Sequence, residues 1–149
     1  MSNEYIKRYS YIALIQRFIN DEVQILLGLS NWNVFYFINK SQNDSWIKIE
    51  EFLEEVSQTT EIDRKCLAPT PIKIHKFYQE VFAQTENQMG HYQLRLIEFS
   101  LPEDVIGKIK VSDTLQWFSR KDIEKKITSS GIPIAEVTLK YLDMLGYNI

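Results

Sequence analysis

The sequence predicts an α/β (α+β) fold, a mixed β-sheet flanked by helices. Three observations point to it. Apolar, β-branched runs separated by turn residues crowd the first 38 positions. The hydrophobic period then changes from that of a strand to that of a helix. A second group of apolar runs follows and leads to an amphipathic stretch near the C-terminus.

The elements follow in order. "SYIALIQRF" (10–18) and "EVQILLGL" (22–29) flank Asn20 and Asp21, which predicts a β-hairpin over 10–29. "WNVFYFI" (32–38) reads as a third strand, and the polar "KSQNDS" (40–45) as a loop. Ile49, Phe52, Leu53 and Val56 then fall at i, i+3, i+4 and i+7. That spacing predicts a helix over about 46–57, with Asp44 or Ser45 as its cap. "PIKIHKFYQEVFA" (71–83) and "HYQLRLIEF" (91–99) read as long strands joined by a loop at 84–90. "DTLQWFS" (113–119) reads as a short strand. Ser119 with Asp122 three residues later resembles a capping box and predicts a short helix over 119–126. Residues 131–146 predict a terminal helix, with Pro133 near its first turn and Gly146 as its C-terminal cap.

A length of 149 residues suits one domain, 1–149, that buries a core without disulfides. A net charge of −3 argues against non-specific nucleic-acid binding, which needs a basic surface. Cys66 is the single cysteine, so no intrachain disulfide forms. It reads as a small buried hydrophobe. The start "MSNEYIKRYS" lacks the apolar stretch of a signal peptide, and no run has the length of a membrane span. The expectation is a cytoplasmic protein with no membrane partner. Its oligomeric state is left open, a homodimer included.

The helix "WIKIEEFLEEV" (46–56) is unusually acidic. With Ile49 as zero and about 100° per residue, the apolar face spans roughly 300° to 40°. On the same scale Glu51, Glu54 and Glu55 lie near 200°, 140° and 240°, on the opposite face. Glu50 sits on its margin. Like charges at these spacings repel by a few tenths of a kcal/mol per pair, and no Lys or Arg follows four residues later to relieve them. Two readings are open. The face is simply solvated, or its carboxylates gather Mg²⁺ or Mn²⁺, which prefer oxygen ligands.

The layout resembles the Nudix hydrolase family, whose signature is G-x5-E-x7-R-E-U-x-E-E-x-G-U with U bulky and apolar. "EEFLEEVSQ" (50–58) takes the place of its second half, and Glu51, Phe52, Glu54 and Glu55 match. "DTLQWFSRKDIEK" resembles the family's late strand running into a short helix, and the order of elements is similar along most of the chain. The resemblance implies a Nudix-like mixed sheet and metal ligation by Glu51, Glu54 and Glu55. Glu54 and Glu98 would be catalytic, Glu98 as a further ligand or general base. Mg²⁺ or Mn²⁺ would be the cofactor. The signature's arginine is Glu50, its earlier glutamate Gln42 and its first glycine Tyr36. Ser57 and Gln58 stand at its later glycine and last apolar position.

The implied activity is metal-dependent hydrolysis of a nucleoside-diphosphate-linked substrate, weak or lost where the signature departs. The implied partner is a phosphorylated small molecule such as a nucleotide. The alternatives are a non-catalytic nucleotide- or protein-binding module on the same fold, and an unrelated scaffold with a wet acidic helix. Trp32, Phe35, Tyr36, Phe37 and Trp46 offer core packing or a platform for a flat ligand. His91, Arg95 and Lys73 are candidate phosphate contacts, with solvated surface positions as the ordinary alternative.

Overall fold

Asn20 and Asp21 adopt φ of 51° and 60° between β1 (Ile6–Ile19) and β2 (Glu22–Leu29). Positive φ at both loop positions is the type I′ geometry that matches strand twist. Ile19 therefore sits opposite Glu22, and the predicted hairpin is present. The computed structural model describes residues 6–67, 73–83 and 88–145.

The third strand is shorter than expected. β3 (Phe35–Tyr36) pairs with Gly28 and Leu29 of β2. The chain then enters β4 (Asn39–Asn43), which pairs antiparallel with Arg8–Ile12 of β1. This corrects the loop expected at 40–45. The pairing is made by backbone groups, and the side chains of "NKSQN" are polar and exposed except for the half-buried Asn39, so no apolar pattern announced it.

α1 (Ile49–Thr60) buries Phe52, Leu53, Val56 and Thr60. It begins after Lys48 with no side-chain cap, so neither Asp44 nor Ser45 has the expected role. Asp44 instead takes φ 74°, and its N–H donates to the Lys7 carbonyl at 2.7 Å. The helix ends at Glu61, in the left-handed region at φ 58°. A 3-10 turn, Arg64–Cys66, follows, capped by the Asp63 side chain.

β5 (Lys73–Ala83) and β6 (Gln88–Phe99) are antiparallel, while β6 runs parallel to β1. Of the loop expected at 84–90, residues 88–90 belong to β6 and the rest lie outside the described residues. The short α2 (Glu103–Ile106) was not foreseen. β7 (Leu115–Ser119) pairs with β2 and runs into α3 (Arg120–Glu124) through the expected capping box of Ser119 and Asp122.

α4 (Val137–Met144) is shorter than the helix expected over 131–146. Pro133 and Ile134 lie outside it and form isolated bridges to Ile127 and Phe35. The Ile134 N–H donates to the Lys126 carbonyl, and the Phe35 N–H to the Pro133 carbonyl, both at 2.9 Å. These long-range bonds hold the segment extended. Gly146 lies outside the described residues.

The sheet order is β3-β2-β1-β6-β5, with β4 also on β1 and β7 on β2. Both faces are covered. Tyr11, Ala13, Ile15, Ile97 and Phe99 pack under α1 with Phe52 and Val56. Ile12, Leu14, Leu94 and Leu96 pack on the other face with Tyr141 and Leu142 of α4. That explains the unbroken apolar run in β1: a strand buried on both faces shows no alternation. Cys66 is half-buried against the first of these cores. Among the described residues no helix is long and apolar enough to cross a membrane.

Candidate functional site

The outer face of α1 looks across a cleft of about 540 Å³ toward β4. Glu50, Glu51, Glu54 and Glu55 line one side, and Lys40, Ser41 and Gln42 the other. The structure thus brings Gln42 to the helix acids. It also adds a residue the helical periodicity does not place there. The left-handed turn at Glu61 and the Asp63-capped 3-10 turn fold the chain back, and Arg64 Nη1 comes 3.7 Å from Glu54 Oε2. Gln58 Nε2 donates to the other oxygen, Glu54 Oε1, at 3.1 Å. The expectation that these acids lack a basic partner is therefore corrected. No signal short of the tertiary fold could have found Arg64, which lies beyond the helix end.

A second cleft, about 170 Å³, opens on the other side of β4. Trp32, Tyr36, Tyr92 and Tyr141 give it an aromatic lining, and Arg8 stands at its edge. Tyr36 and Tyr141 are joined by a hydrogen bond, and burial pushes the Tyr36 phenol well above its usual 10. Burial also raises Tyr141. Both hydroxyls stay protonated at neutral pH. Arg8 donates to Asn43 Oδ1 at 3.1 Å and lies over the Tyr92 ring, 5.4 Å from its centroid. Ser41 lines both clefts. A third hollow between them shares Glu55 with the first, and Trp32 and Asn39 with the second. The three hollows adjoin at these shared residues.

No protein-family model and no curated protein matches this sequence. Solved structures do match. An Ap4A hydrolase of C. elegans, in a binary complex, superposes with a TM-score of 0.52 at 12% identity, over 95% of this chain and 98% of that one. A NUDIX hydrolase from Nitrosomonas europaea gives 0.54 at 10% identity, over 96% and 89%. The NUDIX domain of Shewanella oneidensis NrtR, complexed with ADP ribose, gives 0.53 at 10% identity, over 93% and 85%. The chain has the Nudix fold. Intact NrtR gives a TM-score of 0.59 at 11% identity, and the match spans 60% of that protein's length.

On this Nudix fold the signature-like stretch occupies α1. Ser57, at a signature glycine, donates its hydroxyl to the Ile62 carbonyl at 2.5 Å and so braces the turn after the helix. Gln58, at a signature apolar position, serves Glu54. Tyr36, at the first glycine, lies in β3 and lines the aromatic cleft. Gln42 Nε2 donates to Ser45 Oγ at 2.7 Å. The donor chemistry of Glu51, Glu54, Glu55 and Gln42 suits a hard cation. Their placement does not: among the described residues no three His, Cys, Asp or Glu side chains converge as metal ligands. Glu54 faces Gln58 and Arg64 with its two oxygens. The acids line the cleft without forming a chelating group, so the residues present do not fit a bound Mg²⁺ or Mn²⁺ as they stand.

Glu98 is not brought to the helix acids. Ile97 and Phe99 join the core under α1, so Glu98 between them projects from the opposite face of β6. It accepts from His75 Nε2 at 3.0 Å and lines a separate cleft with Gln16, Lys73 and Ser100. Arg95 packs on Trp46, 3.9 Å from the ring centroid, and donates to the Tyr11 hydroxyl at 3.1 Å. Phe35 and Phe37 are core residues, whereas Trp32 is 60% exposed beside the aromatic cleft. His91 lies on β6 and hydrogen-bonds Tyr78.

Proposed function

We propose that this Nudix-fold protein binds a phosphorylated small molecule carrying a flat group, of the nucleoside-diphosphate-linked class, and hydrolyses it weakly or not at all. The observation that carries the reading is that Ser41 lines both the acidic cleft and the aromatic cleft. The aromatic cleft offers rings for a base. Arg8 in the aromatic cleft, and Lys40 and Arg64 in the acidic one, are cations for an anion. ADP ribose, bound by the NUDIX domain of NrtR, and Ap4A, for which the C. elegans hydrolase is named, share this two-part chemistry. Weak hydrolysis follows from acids that do not converge. A metal-assisted reaction needs its ion held in fixed geometry.

A second reading, metal-dependent hydrolysis, is favoured by one observation: Glu51, Glu54 and Glu55 line a single cleft with Gln42. The deciding experiment pairs titration calorimetry with a phosphate-release screen. Both use ADP ribose, nucleoside di- and triphosphates and dinucleoside polyphosphates, with Mg²⁺ and with Mn²⁺. The expected result is binding with little release, weakened by Trp32→Ala. Turnover on the order of 10 s⁻¹, an ordinary enzyme rate, selects the second reading. Absence of binding by every compound overturns both.

A further inference from the structure

Tyr141 of α4 is held at both ends of its side chain by residues of other elements. Phe77 of β5 stacks on its ring, with centroids 5.0 Å apart and planes 16° apart. Its hydroxyl is joined to that of Tyr36 in β3 by a hydrogen bond. Tyr141 is buried, and both tyrosines line the aromatic cleft. Phe77 is not part of that lining. It is half-buried against the same core, and its cross-strand neighbour Leu94 also lines the cleft. β5 lies at the end of the sheet order, so a strand outside the cleft supports one of its walls.

We propose that Phe77 is a positioning residue for the flat group of the ligand and acts through Tyr141, an inference that rests on the function proposed above. In a packed interior the neighbours of a ring select its rotamer. An aromatic neighbour selects the plane as well, because two rings attract in particular mutual orientations. An aliphatic side chain at position 77 fills space without selecting that plane. The Tyr141 ring then turns, its hydroxyl moves, and the bond that fixes the Tyr36 hydroxyl is lost. Two residues of the cleft lining shift together. The cleft is only about 170 Å³, so a small displacement of one wall is a large part of the room for a ring. A substitution at Phe77 thereby weakens binding although Phe77 touches neither the flat group nor the acidic cleft. A second aromatic residue at position 77 keeps the stack and with it the wall.

Titration calorimetry with ADP ribose and, separately, with ATP tests this on the parent, Phe77→Leu, Phe77→Tyr and Ser119→Ala. Circular dichroism establishes that each variant is folded. Ser119→Ala serves as a control, because it removes a helix cap and lies in neither cleft. The expected result is a Kd about fivefold higher in Phe77→Leu, the scale of one lost aromatic pair. Phe77→Tyr and Ser119→Ala should bind like the parent. If Phe77→Leu does not fold, Phe77→Met takes its place, since its flexible side chain fills irregular space without a ring. A parent that binds neither compound overturns the function proposed above and this inference with it. A parent that binds, with Phe77→Leu binding equally well, overturns this inference alone. Binding by Phe77→Tyr as weak as by Phe77→Leu also overturns it, because the ring is then not what matters. Equal weakening in Ser119→Ala does so too, because the loss then follows stability and not the wall of the cleft.

Discussion

Arg64 stands 3.7 Å from Glu54, reaching back to α1 from beyond the helix end, and Gln58 takes the second oxygen of the same carboxylate. The signature's arginine position holds Glu50, so the positive charge near these acids comes from a different part of the chain. The pair is about half-exposed, and its net contribution to stability is at most about 1 kcal/mol. With Gln58 on the other oxygen, it leaves neither Glu54 oxygen without a partner. Arg64→Ala should therefore change the parent melting temperature little in the absence of metal. It should raise the stabilisation given by millimolar Mn²⁺, which follows RT ln(1 + [L]/Kd). Thermal melts of both proteins with and without Mn²⁺ measure it. An identical Mn²⁺ response in both rejects the role given to Arg64.

Changing Glu54 and Glu55 together to Gln removes like-charge repulsion on α1 and also the contact with Arg64. These terms oppose each other and are each a few tenths of a kcal/mol. The expected stability change without metal is within about 0.5 kcal/mol by the same reasoning. Any stabilisation by Mg²⁺ or Mn²⁺ in the parent should vanish in the double variant. A metal response that survives places the ion elsewhere.

Tyr36 carries a pH prediction. Burial, with the Tyr141 contact, holds its phenol well above 10 in the folded protein. Below pH 10 both folded and unfolded chains keep the proton, and the shift costs nothing. Above about pH 10 the unfolded chain ionises first and binds fewer protons, so stability falls as pH rises. Tyr141, also raised by burial, adds in the same sense. Urea midpoints from about pH 9 to about pH 11 should decline less steeply in Tyr36→Phe. An unchanged slope contradicts the assignment.

Ser119 accepts from the Asp122 N–H, and Asp122 accepts from the Ser119 N–H. Ser119→Ala should cost about 1 kcal/mol in chemical denaturation, the ordinary cost of a lost N-cap. A change below a few tenths of a kcal/mol would show that β7 pairing alone holds α3.

Phe52 is fully buried, stacks on Tyr11 at 5.3 Å and lies 6.3 Å from Phe99. Phe52→Ala should cost about 3–5 kcal/mol, from lost transfer energy and a residual cavity. A loss under about 1 kcal/mol would mean that α1 is not anchored where it lies.

Features written in neighbouring residues were legible. The hairpin rests on Asn20 and Asp21, which tolerate positive φ, and the structure has it. The apolar face of α1 rests on a period, and Phe52, Leu53 and Val56 are buried as read. The capping box lies within four consecutive residues, Ser119 to Asp122, and is present. Gathering of Glu51, Glu54 and Glu55 on one cleft wall also follows from helical geometry.

The amino-acid sequence by itself determined what depends on spacing and local chemistry: a mixed sheet with helices, an acidic helix face, and the resemblance to the Nudix family. Only the tertiary structure decided which distant groups meet. β4 exists because β1 offers it backbone partners, a fact its polar side chains do not record. Residues 131–136 carry helix-like spacing but stay outside α4, because Pro133 and Ile134 bond to Phe35 and Lys126. Arg64 meets Glu54, and Glu98 is turned to the other face of β6 toward His75. Each of these outcomes is set by a long-range backbone register or chain reversal. Hydrophobic period reports which face a residue occupies, and it carries no information on what stands across from that face.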